Sequence, residues 1–572
     1  MSMSLSASAP WLAFYGSTPA TINYPDKTMY GLLADTAKQY PDHIAYIFLG
    51  KKTTYAEFLR RIDAAARGLY NAGIRKGDRL TLCMPNCPQA LDCFYGLNRI
   101  GAIPNMIHPL SAPQEIAFYL NASGSKAILT LDQFYEKVAS VLPQVRHECT
   151  IWVAKIADEL PFPLNILYPL TKAGRHPLPK SGYGLWRHML IAGTDPAQLP
   201  AHDGKADDCA AILYSGGTTG TTKGIMLSNR TFNALALQTI AASGYENIAG
   251  MKMLSVMPIF HGFGLGIGIH TALIGGASCI LVPQFNIKTY ADILIRQQPD
   301  FIPGVPTLFE ALLRSEKLKN ADLSFLKGIF CGGDRLPPEL KKKVDAFLAA
   351  HGCSRQIREG YGTTECVTAS CLTPVDYARE NSIGIPFPDT FYKIVKAGTT
   401  DEAAPMTEGE ICLTGPTVML GYMDNPTETA AALRHHADGK TWLHTGDLGY
   451  MDADGFVYFR QRMKRMIISS GYNIYPSQLE NILDSHEKVL LSCVIGIPDD
   501  YRGTRLRAYI VPAPGVDPTE ALKQQLLEHC RQHIARYALP KEIVFRSELP
   551  KTLVGKVAYR VLEEEAAREE RL

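Results

Sequence analysis

Tyr214-Ser215-Gly216-Gly217-Thr218-Thr219-Gly220-Thr221-Thr222-Lys223-Gly224 lies between two apolar runs, AAILYS ending at Ser215 and GIMLS beginning at Gly224. Both runs have the length and composition of strands, which makes the segment a loop at a strand end. Its glycines let the backbone approach an anion, its hydroxyls and amides can bind phosphate oxygens, and Lys223 adds a point charge. The spacing is not that of a Walker A loop, because Lys223 stands three residues after Gly220 and is followed by Gly224. The competing reading is a Gly/Thr loop with no ligand.

Working outward, apolar strands alternate with helical stretches. AYIFL is followed by a helix from Tyr55 to Ala72, the strand RLTLCM, a helix through Ala90 to Ile100, and then AILTL. This is α/β architecture with parallel strands. Further strands are expected near 252 (KMLSVMP) and 327 (KGIFCGG), each ending in Gly or Pro where such folds place ligand-binding loops. The Pro-, Gly- and His-rich region from Leu160 to Asp203 is expected to form surface loops. After Asp447 the pattern changes to short strands and turns, with Met451 to Gly455 as a hairpin turn. The charged run Arg460 to Arg465 then leads into a compact tail. The expected organisation is a large N-terminal domain of mixed and parallel sheets with flanking helices, 1–463, and a small mobile α+β C-terminal domain, 464–572.

At 572 residues and 62.9 kDa the chain is too long for one core. With 58 basic and 56 acidic residues the net charge is +2, which recruits neither nucleic acid nor an anionic surface through overall charge. Thirteen scattered cysteines without a CxxC pair fit reduced thiols and a cytoplasmic protein. The amino end lacks a basic segment followed by an apolar one, so no secretory signal is read. Gly262 to Val282 is long and uncharged enough to mimic a membrane span. Six glycines and a central His argue against one, and Gly275-Gly276 should divide it into a helix and the strand ASCILV. No transmembrane span is expected, which leaves room for a loose association with a membrane surface.

The loop resembles the phosphate-binding signature of the adenylate-forming enzymes, a superfamily that includes acyl-CoA synthetases, luciferases and the adenylation domains of peptide synthetases. Its form is most similar to medium- and long-chain fatty acyl-CoA ligases. Other segments resemble that family's signatures in the same order: Gly332-Gly333-Asp334, Glu359-Gly360-Tyr361-Gly362-Thr363-Thr364-Glu365, GEICLTGPTVMLGYMDNPTET, Trp442 to Asp447, Arg460 to Pro476, and Pro550 to Lys556. The resemblance covers nearly the whole chain. Gly216, Gln461 and Asp334 depart from the residues common at their positions.

The resemblance implies ATP-dependent activation of a carboxylic acid to acyl-AMP with release of pyrophosphate, followed by transfer to the thiol of coenzyme A. Bringing a carboxylate to the α-phosphate joins two anions, so positive charge must stabilise the transition state. By resemblance, Ser215, Gly217, Thr218, Thr219, Gly220 and Lys223 hold the β/γ-phosphates, Thr364 contacts the α-phosphate and Glu365 holds Mg²⁺, a hard cation suited to oxygen ligands. Gly332, Gly333, Asp334, Glu359, Gly360 and Tyr361 would form the nucleotide wall, with Tyr361 facing adenine. Asp447 would accept the ribose hydroxyls with help from Arg462. Lys556 would bridge the substrate carboxylate and the α-phosphate, and Lys464 matches the hinge about which the small domain rotates between half-reactions.

His261, in Met257-Pro258-Ile259-Phe260-His261-Gly262-Phe263-Gly264, stands beside the expected acyl pocket, where it either packs against the substrate carboxylate or is simply buried. Amino-acid-activating relatives usually carry an Asp here to pair with the substrate ammonium, so an amino acid is disfavoured. The apolar stretches Phe263 to Ile269 and Ile302 to Phe309 point to a fatty, aryl or alicyclic acid. Alternatives remain at this stage: a ligase loading a phosphopantetheine carrier protein, a luciferase-like oxygenase, a non-catalytic nucleotide-binding regulator and, weakest given the spacing of Lys223, a Walker-type phosphohydrolase.

Overall fold

The computed structural model describes residues 5–194, 199, 204–215, 222–396, 398–465, 467–469, 472–499, 503–534, 538–552 and 556–569. Two large sheets form the body of residues 29–386. In the first, strands Ile103–Met106, Arg79–Cys83, Ala127–Leu131 and Thr150–Ala154 run parallel, and Cys209–Ser215 pairs parallel to Ile103–Met106. In the second, Ile357–Tyr361, Gly328–Cys331, Phe301–Gly304, Lys252–Ser255, Ser278–Leu281 and Ile44–Phe48 form the parallel series. The strands expected from AYIFL, RLTLCM, AILTL, AAILYS, KMLSVMP and KGIFCGG all form.

The helices between them are amphipathic for identifiable reasons. Tyr55–Asn71 begins at a capping box in which Thr54 Oγ1 accepts from the Glu57 amide at 3.2 Å and Glu57 Oε2 accepts from the Thr54 amide at 2.8 Å. It buries Phe58, Ile62, Ala65, Ala66 and Leu69, spaced three or four apart, against the sheet layer.

Cys209–Ser215 and Lys223–Ser228 form an antiparallel hairpin, a pairing the two apolar runs left open, with Tyr214 opposite Gly224 and Ser215 opposite Lys223. The connection between them is too short for the crossover a parallel pair requires. The region 160–203 is not plain loop: Leu164–Leu167 and Tyr168–Leu170 wind into short helical turns, and Trp186–Ala192 is a helix. That helix packs on Tyr55–Asn71, where a Cβ added to Gly68 would meet the Met189 carbonyl oxygen at 2.4 Å.

The segment 262–282 divides as its glycines imply. Phe263–Thr271 winds as a π-helix, Ala272–Ile274 continues it, and Ser278–Leu281 is a strand. Near its end His270, fully buried, is held between the Tyr95 hydroxyl at 2.9 Å and Asn233 Oδ1 at 2.8 Å. No described helix is long and apolar enough to cross a membrane. All thirteen cysteines are free thiols.

An antiparallel sheet of Phe391–Val395, Gly409–Thr414, Leu433–His435, Thr441–Met451 and Val457–Arg462 follows. Beyond it the buried residues form separate clusters, one around Leu479, Leu483, Ala508, Ile510 and Leu526, another around Ile495, Tyr509 and Leu562. They belong to the sheet Val489–Asp499, Gly503–Pro512 and Glu542–Phe545 and its helices Pro476–Asp484, Glu520–His533 and Tyr559–Glu569.

Candidate active site

The parallel strands deliver their carboxyl ends to one place. Gly328–Cys331 runs into Gly332, Gly333 and Asp334, and its neighbour Ile357–Tyr361 carries Glu359, Gly360 and Tyr361 into Gly362 and the turn Thr364–Cys366. Gly333 has φ +79°, a left-handed conformation that disfavours a side chain. At Gly362 a Cβ would meet the Thr368 carbonyl oxygen at 2.3 Å, so that turn closes only on glycine.

Asp447 reaches this place from Thr441–Met451. It is directly opposite Arg462 in the antiparallel pair, and Arg462 Nε lies 3.4 Å from Asp447 Oδ1. The Tyr361 hydroxyl donates to Asp447 Oδ2 at 2.6 Å. Asp447 is only 1% exposed, and Oδ1 has no hydrogen-bond partner among the described residues. Burial raises its pKa, opposed by Arg462 and the Tyr361 hydrogen bond. A buried carboxylate oxygen with unused acceptor capacity suits a ligand that brings hydroxyl donors.

Lys556 comes from the far end of the chain into the same space. Lys551 pairs with Val557, and the Thr552 amide donates to the Lys556 carbonyl at 2.7 Å, which fixes the backbone that carries the lysine. Burial lowers its pKa, Asp334 and Asp447 raise it, and Arg462 lowers it again. His261 is its further neighbour: burial, then the charge of Lys556, pushes the imidazole down to about 3, so it is neutral at ordinary pH. His261 Nδ1 accepts from the Phe263 amide at 3.2 Å. Burial raises Glu359 to about 7, against the pull of a backbone amide and of Arg335.

Glu365 Oε1 accepts from the Tyr422 hydroxyl at 2.9 Å, and its second oxygen has no hydrogen bond among the described residues. Lys223 pairs with Glu428, and its ammonium lies 4.7 Å from the Tyr422 ring centroid. Tyr422 thereby links the Lys223 strand to the Glu365 turn. Gly217, Thr218, Thr219 and Gly220, the centre of the phosphate-loop expectation, lie outside the described residues, as do the side chains of Ser215 and Lys464.

Three participants went unread in the sequence. Glu410 accepts from the Gly446 amide at 2.9 Å and bonds His444 Nδ1 at 2.8 Å, and His444 Nε2 lies 2.9 Å from His436 Nε2. Burial alone would raise the Glu410 carboxyl, but the bonds from His444 and Gly446 outweigh it and hold it low. This fixed acid holds the turn from which Asp447 emerges. Its trace lay in the pairing of GEICLTG with WLHTGD. Tyr422 is the second. Arg335 is the third: it donates to the Ser477 carbonyl at 3.0 Å and so ties the end of Gly328–Cys331 to helix Pro476–Asp484.

Behind Gly332, Gly333 and Gly360 opens a cleft of about 420 Å³, including space open to solvent. Phe263, Ile267, Phe330, Leu372 and Phe387 give it an apolar lining, and Thr239 stands on its wall. One face of the glycine strand end is thus polar and charged, the other apolar.

The model of the AMP-binding enzyme matches residues 33–423, and that of the AMP-binding enzyme C-terminal domain matches 478–556. The chain belongs to the AMP-binding enzyme family. It is an AMP-forming acid–thiol ligase. A long-chain-fatty-acid–CoA ligase of Bacillus subtilis (strain 168) is 36% identical over 97% of this chain and 98% of its own length. A feruloyl-CoA synthase of an Amycolatopsis species is 31% identical over 91% and 95%. Among solved structures, ATP-bound MatB from Rhodopseudomonas palustris superposes with a TM-score of 0.79 at 25% identity, covering 94% of this chain and 99% of that one. ATP and coenzyme A are the co-substrates of the acyl-CoA ligases in this family; the fold class, with mixed and parallel sheets and a smaller α+β portion, is that of these ligases.

Proposed function

We propose that this ligase activates a hydrophobic, long-chain carboxylic acid as acyl-AMP and passes the acyl group to coenzyme A. The observation that carries the reading is that one strand end serves both parts: Tyr361 bonds Asp447, which faces Arg462 and feels the charge of Lys556, while the adjacent Gly360, with Gly332 and Gly333, lines the apolar cleft. The acid enters tail first among Phe263, Ile267 and Phe387, and its carboxylate remains at the mouth. There Lys556 offsets the repulsion between carboxylate and α-phosphate as the carboxylate oxygen bonds phosphorus and pyrophosphate leaves. Neutral His261 packs beside the carboxylate without repelling Lys556. Asp447 Oδ1 accepts the ribose hydroxyls, while Tyr361 and Arg462 hold the carboxylate in place. Lys223, Thr364 and the loop centred on Thr218 and Thr219 hold the phosphates. Glu365, a hard oxygen donor with one oxygen unused, fits Mg²⁺, which neutralises phosphate charge when bound.

The separate buried clusters after 463 support a boundary between 1–463 and 464–572, with rotation about Lys464. Lys464→Pro should spare pyrophosphate release and abolish thioester formation; equal loss of both steps would sink the hinge. The protein works in the cytoplasm, and its acid substrate makes loose contact with membranes useful.

The deciding experiment is release of pyrophosphate and AMP across acids from acetate to palmitate, with benzoate and bile acids, each with and without coenzyme A. Long-chain acids should give AMP and a coenzyme A thioester. If aryl acids alone are turned over, the acid assignment falls; if none gives AMP, the reaction falls.

A further inference from the structure

Residues 160–193 form a surface that the proposed reaction does not use. Within nine residues Phe162 is 80% exposed, Leu164 48%, Ile166 58%, Leu167 51% and Leu170 77%, and Phe162 and Leu170 are the two most exposed large apolar side chains among the described residues. Scattered single exposures are ordinary, but a run of five bulky apolar groups on one short segment is the composition of an interaction site.

The local backbone holds these side chains outward. Amides of Asn165, Ile166 and Leu167 bond the carbonyls of Pro161 and Pro163, and the Thr171 and Gly174 amides close the following turn. Pro163 stands just before the turn Leu164–Leu167 and Pro169 lies in the next turn, where it lacks the amide that would continue the helix, so the segment is two short helical turns. It is far too short to span a bilayer.

Charge selects the occupant. Between 160 and 193 the sequence holds Lys172, Arg175, Lys180 and Arg187, with His176 and His188, and no Asp or Glu at all. The whole chain has a net charge of only +2, so these four cations are a local concentration. Lys172, Arg175 and Lys180 are exposed and form no ion pair among the described residues. Of the two acids just before the segment, Glu159 is buried against Arg61 at 2.5 Å, and Asp158 lies 3.8 Å from Arg187, which leaves Lys172, Arg175 and Lys180 as the cations available to a partner. Exposed apolar groups flanked by unpaired cations are complementary to an anionic lipid surface, whose acyl boundary accepts the first and whose headgroups accept the second.

We propose that residues 161–180 dock this enzyme on anionic lipid bilayers, with Phe162, Leu164, Ile166, Leu167 and Leu170 entering the interface and Lys172, Arg175 and Lys180 contacting the headgroups. The docking stands apart from the identity of the acid in the cleft, since none of these residues lines it.

The test uses the full chain in a flotation assay with vesicles of phosphatidylcholine alone and of phosphatidylcholine with about 30% phosphatidylglycerol. The wild type should float with the anionic vesicles and be released by high salt. F162S/L170S should weaken that partition about tenfold or more. K172E/R175E/K180E should weaken it about as much, and only on anionic vesicles at low salt. Both variants should keep the wild-type melting temperature and turnover of a short, water-soluble acid. As a measurement that does not depend on losing binding, Ile166→Trp should be quenched by brominated lipid. Wild-type protein that stays with buffer, variants that float like wild type, or an unquenched tryptophan would each overturn the proposal. So would a dimer in sedimentation that F162S/L170S splits, which would make the face a contact between two copies of this chain.

Discussion

The two faces of the glycine strand end obey opposite rules. On the polar face the acids are held by named partners: Asp447 by Tyr361 and Arg462, Glu365 by Tyr422, Glu410 by Gly446 and His444. On the apolar face Phe263, Ile267, Phe330 and Phe387 meet only shape. A single substitution on the first face should therefore change rate or nucleotide affinity, and one on the second should change which acid is accepted.

Lys556→Ala is the strongest attempt to break that division. It should lower the rate of pyrophosphate release roughly a hundred- to a thousandfold and leave the order of preference among acids intact. A changed acid preference in single-turnover assays would show that the faces are coupled. Thr239→Phe sharpens it from the other side, filling the cleft wall. It should cut kcat/KM for palmitate about tenfold or more while a medium-chain acid is spared, with KM for ATP unchanged. Tyr361→Phe removes one hydrogen bond to a buried carboxylate and should raise KM for ATP about tenfold, with acid preference unmoved.

The smallest effect concerns stability. Folded Glu359 holds its proton up to about 7, whereas the unfolded side chain releases it near 4.5. Between those values the unfolded state binds fewer protons, so this group's contribution to stability falls as pH rises and is constant above them. Glu359→Gln should remove up to about 1.4 kcal/mol per pH unit of that decline, read from urea midpoints at pH 5 and 7.

The same division governs what could be read from the residues alone. Lys556, Asp447, Arg462 and Glu365 sit in local motifs because charge chemistry needs a given residue at a given offset. The cleft was legible only in part: of the two apolar stretches read for it, Phe263 to Ile269 supplies Phe263 and Ile267 and Ile302 to Phe309 supplies none, whereas Thr239, Phe330 and Phe387 come from a helix, a strand and a loop far apart in the chain, and only packing joins them. Parallel strands were legible from apolar runs between amphipathic helices. The hairpin at Tyr214 and Gly224 was not, since period-two patterning does not reveal a neighbour's direction. Helix Trp186–Ala192 was missed because proline and glycine around it signal loop, whereas its stability comes from burying Trp186 and packing on Tyr55–Asn71. Glu410 and His444 were invisible as a pair because sheet register, not sequence distance, joins them.

The π-helix Phe263–Thr271 carries one more implication. Its wide turns set the angular phase at which Phe263 and Ile267 face the apolar cleft, and His270 pins its far end between Tyr95 and Asn233. Removing one residue between those fixed points would rewind the segment to ordinary α-helix and rotate Ile267 off the wall without touching a single charged group. On the proposed function, the size of acid accepted would therefore be adjustable by helical register, like the pitch of a screw, while the charged groups stay as they are.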